Sequence, residues 1–477
     1  MQNQFITLHS ALCTFSMMTQ TEDFRRRPPA PLPPRALNLP LSRETTLENG
    51  LAVVAVEQDR LPLVSFRLAL RTGDAFDPPE LPGLTDTLTT MLLEGTESRT
   101  SRQIAEEVAR LGATLNAGAT SDYTTVAASS LSAFSDEVLE LLADVALRPS
   151  FPESELALAK ANAQQNLIAQ RAQPSFLASE AVARIIFGRH PYSVVSPTPE
   201  SIEATARERL LAAHRAKFVP NNAVLFVVGD VRREHVLARA EELFGGWARG
   251  EVTEPKFPAP PALTGRAAYV VNRPGSAQTN IVVANPCVTR TDPDYFPLLL
   301  MHTVLGGTAS ARLFMNLREE KGYTYGAYTQ LDARRYAGSF RATTEVRNAV
   351  TGASLKEIFY ELERVRSEEV SDKELTDAKT YLTGVFPIRL ETQEGLVDQL
   401  VQIRMNGLAP DYLQTYRDNV QRVTKEDVRR VARGCVTPDR AAIVVVGDAE
   451  EIRGQVAPFA ERVEDFDAAA QSKAGAE

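Results

Sequence analysis

The sequence predicts an α+β fold made of two similar domains. Three observations support this: the chain has 477 residues, a strand-like segment occurs twice, and a proline-rich stretch separates the two copies. A chain of this length exceeds one ordinary hydrophobic core, so at least two domains are expected. The sequence has no glycine-rich phosphate loop, and strands outnumber those of a parallel βαβ series, which excludes Rossmann and P-loop folds.

The repeat is clearest in two apolar segments that end in Gly-Asp. "NNAVLFVVGD" at 221–230 returns as "RAAIVVVGDA" at 440–449, and Gly229 and Gly447 lie 218 residues apart. A helix-like segment also recurs, first as "GLTDTLTTMLLEGT" and then as "DYFPLLLMHTVLGGT". The predicted organisation is a proline-rich extension (1–43), a first domain (44–248), a proline-rich linker (249–263), a second domain (264–465) and a tail (466–477).

Three elements of the first domain can be predicted from local patterns. Apolar and polar residues alternate over "LVSFRLALR", 63–71, which predicts a half-buried strand. Thr100 and Gln103 form a capping box before a helix that Gly112 ends. A second helix covers the segment before Pro220, and His214 on its apolar face is expected to be a packed core histidine.

Charge and cysteine content exclude several classes of function. The net charge of -9 argues against a nucleic-acid partner or a polybasic membrane contact, since both of these depend on cationic protein surfaces. The sequence also has no apolar run long enough to span a bilayer. Cys13, Cys287 and Cys435 have no CxxC spacing, so buried free thiols are expected rather than a disulfide framework or a zinc knuckle.

The N-terminal segment "FITLHSALCTFSMM" bears on localisation. It is faintly apolar, but no Lys or Arg precedes it, His9 interrupts it and no small-residue cleavage site follows. Met17 or Met18 could be the natural start. A cytoplasmic location is expected, with a periplasmic one as the alternative if this segment is a weak signal.

The segment "GLTDTLTTMLLEGT" combines a helical apolar pattern with a cluster of polar residues. Leu84, Leu88 and Met91 recur at helical spacing. Asp86, Thr87, Thr89 and Thr90 occupy the same turns, although a branched Cβ makes threonine a mediocre helix former. Packing alone does not explain this cluster.

The order of motifs resembles the pitrilysin/insulinase family of zinc peptidases. The motifs are "ETTLENGLAVV", "GLTDTLTTMLLEGT", "LGATLNAGATSDYTTV", "NNAVLFVVGD" and "GGTASARLFMNLREEKGYTYGAY". The resemblance covers residues 44–460 and is strongest to the two-domain chains of processing peptidases. It implies two homologous α/β-sandwich domains of the processing-peptidase-like metallohydrolase type.

The resemblance also implies that the zinc motif is degenerate. Active members carry His-x-x-Glu-His, in which the two histidines and a distant Glu bind zinc and the central Glu polarises the bound water. Those positions here are Asp86, Thr89 and Thr90, and the distant position is Asn166. We therefore expect no zinc in this chain and zinc in a partner. No two of the five histidines are three to five residues apart: His9, His190, His214, His235 and His302.

Two other motifs of the family match residues of this chain. Arg318 and Tyr325 match its Arg…Tyr pair, which reaches toward the substrate carbonyl beside the zinc. Without the resemblance, Arg318 would be a solvated helix-end charge and Tyr325 a strand aromatic. Asn116 and Ala117 match the edge strand that pairs with extended peptides. The alternative there is a plain hairpin edge with a Gly-Ala turn.

The leading hypothesis is a non-catalytic subunit of a heteromeric zinc peptidase. A homologous partner with His-x-x-Glu-His would supply the metal, and this chain would supply Arg318 and Tyr325 to a peptide or unfolded polypeptide. The alternative is a structural or peptide-binding scaffold without a proteolytic role, like the core proteins of the respiratory cytochrome bc1 complex. A hydrolase that uses Asp86 with threonine hydroxyls ranks last, because no partner base is in view.

Overall fold

Alternating and continuously apolar segments form the strands of two mixed sheets. The structure is a computed structural model and describes residues 39–467. Most of the predicted extension, Cys13, His9 and nearly all of the predicted tail lie outside the described residues. The first sheet contains β1 (Arg43–Thr46), β2 (Ala52–Glu57), β3 (Leu63–Leu70), β4 (Thr114–Ala119), β5 (Thr124–Leu131) and β6 (Ala223–Gly229). The second contains β7 (Ala267–Asn272), β8 (Gln278–Cys287), β9 (Ala327–Ala333), β10 (Gly338–Arg347), β11 (Ala442–Gly447) and β12 (Arg462–Asp465).

Helices connect these strands in the same order in both halves. The first half contains α1 (Leu84–Met91), α2 (Ser101–Arg110), α3 (Ser135–Leu147), α4 (Glu153–Arg171), α5 (Pro174–Phe187), α6 (Pro199–Ala204), α7 (Arg207–Lys217) and α8 (Arg233–Phe244). The second half contains α9 (Tyr295–Leu305), α10 (Arg312–Phe314), α11 (Thr351–Ser367), α12 (Asp372–Ile388), α13 (Gln393–Asn406), α14 (Tyr412–Arg422), α15 (Lys425–Cys435) and α16 (Ala449–Val456). No helix within 39–467 is both long and apolar enough to cross a bilayer.

Sheet topology follows the sequence repeat. The strand orders are β1-β2-β6-β3-β5-β4 and β12-β7-β11-β8-β10-β9. The two copies of the Gly-Asp segment, β6 and β11, therefore take the same place, each between one parallel and one antiparallel neighbour. The halves differ at one edge, where β1 pairs antiparallel with β2 but β12 pairs parallel with β7. The expected α+β architecture with two related halves is confirmed.

The prediction that 63–71 is a half-buried strand is wrong in one respect. β3 is a strand and its apolar face is buried, but Ser65 and Ala69 on the other face are also buried, at 2% and 0% exposure. β3 lies inside the sheet, and α13 from the second half packs across it and β6. The alternation shows one core face but cannot reveal a helix that arrives from more than 300 residues later.

The covering helices are exchanged between the two halves. α5 of the first half packs on β8 and β11 of the second sheet, and α13 of the second half packs on β3 and β6 of the first. Ala181, Val182 and Phe187 of α5 share a hydrophobic core with Val282 and Val444 of the second sheet. Each sheet thus buries one face against a helix from the other half.

Polar contacts and the linker also join the halves. Arg334 donates from Nη1 to Ser121 Oγ at 3.0 Å, and the Arg335 backbone N–H donates to Asp122 Oδ2 at 3.2 Å. The predicted linker, 249–263, has no helix or strand, but Phe257 packs edge-on against Phe76 at 5.6 Å. Aromatic packing therefore fixes the connection between the halves.

The expectation of free thiols at Cys287 and Cys435 is wrong. The two residues form a disulfide with a Cα–Cα distance of 5.3 Å. Cys287 ends β8, Cys435 ends α15, and α15 packs against both α9 and β8. The pairing spans 148 residues of sequence, so spacing alone gave no sign of it.

The two helix predictions of the first domain are confirmed. α2 begins after Thr100, whose side chain accepts from the Gln103 backbone N–H. The Gln103 side chain in turn accepts from the Thr100 backbone N–H. In α7, His214 Nε2 lies 2.8 Å from Ala146 O, and its ring stacks on Phe218. His214 is thus a packed core histidine.

Candidate functional site

The degenerate metal position lies on α1, which is anchored by its apolar face. Gly83 precedes the helix with φ 88°, and a Cβ there would lie 2.8 Å from Pro197 Cβ, so glycine is required. Leu84, Leu88 and Met91 are all buried against the first core. These residues keep the segment helical whatever its polar face carries.

The threonine hydroxyls of α1 bond to the backbone of their own helix. Thr87 Oγ1 donates to Gly83 O at 3.1 Å, and Thr89 and Thr90 both donate to Asp86 O, at 2.9 and 3.0 Å. This local pattern satisfies hydroxyls that would otherwise compete with helical hydrogen bonding. The hydroxyls of Thr89 and Thr90 are therefore already engaged at the two positions where active members of the family carry Glu and His.

A second cluster beside α1 engages the nearest buried carboxylate. Lys217 Nζ lies 3.0 Å from Asp77 Oδ1 and donates to Thr85 Oγ1 at 2.9 Å. The Thr85 backbone N–H also donates to Asp77 Oδ2 at 3.0 Å. Asp77 is thus fully occupied by an ion pair and helix-start hydrogen bonds. The sequence analysis missed this cluster, because Lys217 lies 140 residues from Asp77.

Asp86 faces a cavity of about 230 Å³ that also includes Asp74 and Asp77. Its side chain stays accessible to water, yet protein surrounds the cavity on most sides. Desolvation raises the pKa of Asp86 to about 6, and the charges of Asp74 and Asp77 raise it further in the same direction. We call this space the Asp86 cavity. Three carboxylates and the guanidinium of Arg189 line it, and only one of these carboxylates comes from the three motif positions of α1.

The cavity wall also contains His190, which is 1% exposed. Its Nδ1 accepts from the Tyr192 backbone N–H at 3.1 Å, and its ring packs against Phe257 at 5.3 Å. Burial, aided by the charge of Arg334, lowers the pKa of His190 to about 4. The imidazole is neutral at physiological pH and held by aromatic packing.

The residues around α1 do not form a zinc site. Catalytic zinc needs three protein ligands that leave one position open. Across the part of the chain that the structure describes, no group of three His, Cys, Asp or Glu side chains is placed to hold a metal ion. Asn166 is exposed on α4, a helix that packs against α1. An amide at that position does not replace the carboxylate that the family uses.

Arg318 and Tyr325 are brought together by an unusual turn. α10 continues into a π-helical turn, Met315–Glu320, and wider turns of this kind often mark functional sites. Arg318 Nη1 donates to Tyr325 O at 2.9 Å, and the guanidinium lies 5.7 Å from the Tyr325 ring. The Tyr325 side chain is 87% exposed. The arginine is thus oriented by this carbonyl and by Glu319, to whose Oε1 its Nε donates at 3.2 Å, while the phenol is exposed.

The segment with Asn116 and Ala117 forms the edge of the first sheet. β4 pairs with β5 on one side, with Asn116 opposite Ala127, and it ends the sheet within the described chain. α1 packs against β4, so this edge lies beside the degenerate motif. The hairpin turn uses Thr120–Tyr123 instead of Gly-Ala, because Gly118 and Ala119 belong to the strand.

Sequence and structure comparisons agree with this architecture. Residues 53–197 match the family described as "Insulinase (Peptidase family M16)", and residues 205–382 match "Peptidase M16 inactive domain". The chain belongs to the M16 peptidase family. It is 24% identical over 403 residues to an uncharacterized zinc protease of Mycobacterium leprae, covering 84% of this chain and 91% of that protein.

Two solved structures resemble this M16 chain over nearly its whole folded length. A peptidase M16 inactive domain from Pseudomonas fluorescens superposes with a TM-score of 0.80 at 28% identity, covering 85% of this chain and 98% of that one. A protease from Helicobacter pylori gives 0.81 at 20% identity, covering 86% and 100%, and shows the same fold. The resemblance to the pitrilysin/insulinase family is confirmed. The roles of Arg318, Tyr325, Asn116 and Ala117 stay predictions.

Proposed function

We propose that this chain is the non-catalytic subunit of a heteromeric M16 zinc peptidase. A homologous partner with His-x-x-Glu-His supplies the zinc and the general base, and this chain supplies Arg318 and Tyr325. One contrast carries the proposal. The motif positions Asp86, Thr89 and Thr90 form no ligand set. By contrast, Arg318 Nη1 donates to the Tyr325 backbone O at 2.9 Å, and the Tyr325 phenol is exposed.

The chemistry of the pair suits an accessory role. A guanidinium and a phenol that point at a carbonyl stabilise the negative charge that develops on its oxygen during hydrolysis. Arg318 is already oriented by the Tyr325 carbonyl, so little ordering remains to be done when a peptide binds. The pair has no nucleophile of its own, and activity depends on the metal-bound water of the partner.

The peptide in this proposal lies along an open strand edge. β4 offers unpaired main-chain groups near Asn116 and Ala117, and strand addition recognises the backbone of an extended peptide regardless of its side chains. The substrate is therefore a peptide or unfolded polypeptide, and the proposal names no sequence preference.

The disulfide supports the periplasmic alternative over the cytoplasmic expectation. Disulfides persist in oxidising compartments and are rare in the bacterial cytosol. Cys287 and Cys435 are bonded to each other. Acid quenching of intact cells, followed by alkylation of the denatured chain, tests this placement: protection of both cysteines supports it, and labelling of both contradicts it.

Reconstitution with a partner that carries His-x-x-Glu-His tests the proposal. Arg318→Ala should lower kcat of the complex by about 100-fold, and Tyr325→Phe by about tenfold, with assembly unchanged. Tyr360→Phe and Arg102→Ala are matched controls, since both side chains are exposed and distant in sequence from the pair. Full activity of both site variants would favour the scaffold alternative instead.

Metal analysis provides a second, independent test. The chain purified alone should bind less than about 0.1 zinc per molecule, because no three ligands converge in 39–467. The assembled complex should hold one zinc, contributed by the partner. One zinc per molecule in the chain alone would overturn the division of labour.

A further inference from the structure

The second half contains a cavity of about 200 Å³ that the proposed function does not use. It lies among α9, α12, α13 and α14, and the loop after β8 closes one side. Its polar lining comes from residues of all these segments: Arg290, Tyr295, His302, Thr303, Tyr381, Arg389, Gln399, Tyr412 and Tyr416. We call it the Arg290 cavity.

The charge of this cavity is positive, in contrast to the chain as a whole. Arg290 and Arg389 line it, no carboxylate does, and the full chain carries a net charge of -9. Neither Arg290 nor Arg389 forms an ion pair within the described chain. Two guanidinium groups without an ion-pair partner give this cavity a positive potential that favours an anion.

Arg290 is held in place with one donor left over. Its guanidinium lies 3.6 Å from the centre of the Tyr295 ring, and its Nη2 donates to the Tyr412 hydroxyl at 2.6 Å. Its Nη1 is buried and has no hydrogen-bond partner. Because Arg290 lines the cavity, this N–H is available to an acceptor that binds there.

A neighbouring carboxylate does not neutralise Arg290. Arg290 also lines an adjoining cavity that includes Asp122 and Asp332. Asp122 accepts from the Tyr192 hydroxyl and from the Arg335 backbone N–H. Asp332 accepts from both Nε and Nη2 of Arg334, at 3.0 and 2.7 Å. The Asp332 charge is therefore already paired, and Arg290 keeps its own.

The other polar groups of the cavity are neutral. Burial lowers the pKa of His302 to about 4, and its Nδ1 lies 2.7 Å from Thr329 Oγ1. Burial raises the pKa of both Tyr412 and Tyr416, and Tyr295 raises it further, while Arg290 and, for Tyr416, also Arg389 oppose this shift. The phenols can therefore donate hydrogen bonds, and they add no negative charge at neutral pH.

We propose that the Arg290 cavity binds a small oxyanion, either a carboxylate or a phosphate group, through Arg290 and Arg389. Two cationic forks match two oxygens of such a group, and the tyrosine hydroxyls and the Gln399 amide can complete its hydrogen bonds. The volume admits one compact anionic group with a short attached chain. This binding does not depend on a partner subunit or on zinc.

Titration calorimetry at constant ionic strength tests this with three probes. These are inorganic phosphate, a short peptide with a free C-terminal carboxylate, and the same peptide amidated. The amidated peptide should not bind at this cavity, so any heat that it shares with the free peptide reports peptide binding elsewhere, such as at the β4 edge, and is subtracted. Binding of phosphate alone identifies a free anion or phosphorylated small molecule as the ligand, and binding of the free peptide identifies a peptide terminus.

Variants decide whether the cavity is the site. Arg290→Gln should weaken binding at least tenfold, and Arg389→Gln several-fold. Arg389 is exposed, so its variant keeps the test valid even if Arg290→Gln perturbs packing against Tyr295. Arg110→Gln, an exposed arginine on α2, should bind like the unmodified chain. The proposal would be overturned if neither anion binds at concentrations up to 20 mM, which corresponds to a binding free energy of about −2 kcal/mol. It would also be overturned if Arg110→Gln weakened binding as much as the cavity variants do.

Discussion

The N-terminal and C-terminal halves place the same elements in the same order, yet corresponding corners carry opposite charge. The Asp86 cavity is bounded by the segment after β3, by α1 and by the segment after α5. The Arg290 cavity is bounded by the loop after β8, by α9 and by α14, which follows α13. One corner gathers Asp74, Asp77 and Asp86, and the other gathers Arg290 and Arg389. Apolar packing thus keeps the same arrangement of elements in both halves, while the polar residues that line the two cavities differ.

The halves also differ in how a buried acid supports the segment after the first helix. Asp144 on α3 is 0% exposed and bonds to Thr96, at the start of the segment that leads into α2, at 2.7 Å. Glu361 on α11 is 3% exposed and accepts from Asn316, in the π-helical turn, at 3.0 Å. The first arrangement supports a regular capped helix, and the second supports the turn that presents Arg318.

Removal of the two buried acids should show the largest difference between the halves. Asp144 is bonded by two arginines, Arg99 and Arg148, each at 2.8 Å, so Asp144→Ala should cost about 3–5 kcal/mol of unfolding free energy. The ion pair of Glu361 is weaker, because Arg364 Nη1 lies 3.5 Å from Glu361 Oε2. Glu361→Ala should therefore cost about 1–3 kcal/mol of unfolding free energy. Urea unfolding followed by circular dichroism measures both.

Asp377→Ala serves as the control, since its pair with Lys373 is exposed and should change stability by less than about 1 kcal/mol. A larger loss in Glu361→Ala than in Asp144→Ala would contradict this ranking of the two halves.

The disulfide belongs to the second half alone and should stabilise it measurably. Cys435→Ser removes a cross-link that closes a long loop, which should cost about 2–4 kcal/mol in the unfolding free energy under oxidising conditions. In the presence of a reductant the variant and the unmodified chain should unfold alike. Thiol titration of the unfolded, unreduced chain should find at most one free thiol, because Cys287 and Cys435 are bonded to each other; three free thiols would refute the bond.

Asp86→Asn should change how the stability of the chain depends on pH, because Asp86 lies in the Asp86 cavity with Asp74 and Asp77. The folded-state pKa of Asp86, raised to about 6 by desolvation and by Asp74 and Asp77, lies above the usual value of about 4. The folded chain therefore loses stability as pH rises from about 4 to 6. Asp86→Asn should be more stable above pH 6 by about 1 kcal/mol, since water access weakens the effect.

At pH 4 the Asp86→Asn variant and the unmodified chain should have equal midpoints in thermal unfolding. A stability gain that is the same at pH 4 and pH 8 would show that charge is not its cause.

The smallest effects should come from threonines in the corresponding helices α1 and α9. Thr89 bonds to the carbonyl of Asp86, and Thr303 bonds to the carbonyl of Leu299 at 2.7 Å, each within its own helix. Alanine loses a weak hydrogen bond but gains helix propensity, so Thr89→Ala and Thr303→Ala should each change stability by less than about 1 kcal/mol. Thermal unfolding of both variants measures these changes. A markedly larger loss of stability in Thr89→Ala alone would show that Thr89 has a further role.

Local patterns predicted the fold well because they reflect short-range physics. Thr100 and Gln103 are three residues apart and form the capping box that their types predict. The repeat at 221–230 and 440–449 predicted two strands in equivalent places. That α1 builds no zincin-type site stays a prediction, drawn from the absence of paired histidines, since two ligands of that site must lie one helical turn apart.

Contacts between distant segments could not be predicted in the same way. Asp77 and Lys217, Cys287 and Cys435, and β3 with α13 meet only after the chain has folded. Each partner taken alone has an ordinary local context. Arg290 likewise has no ion pair because no free carboxylate lies beside it in the fold, and the spacing of residues in the sequence could not predict this.

The exchange of α5 and α13 has an evolutionary consequence. Because each sheet is completed by a helix of the other half, a gene that encoded one half alone would leave a broad apolar face without its cover. Each half therefore depends on the other to cover its sheet. Substitutions on the polar face of α1 leave its buried side unchanged. A lineage could thus lose the ligands from one helix and still retain the entire architecture.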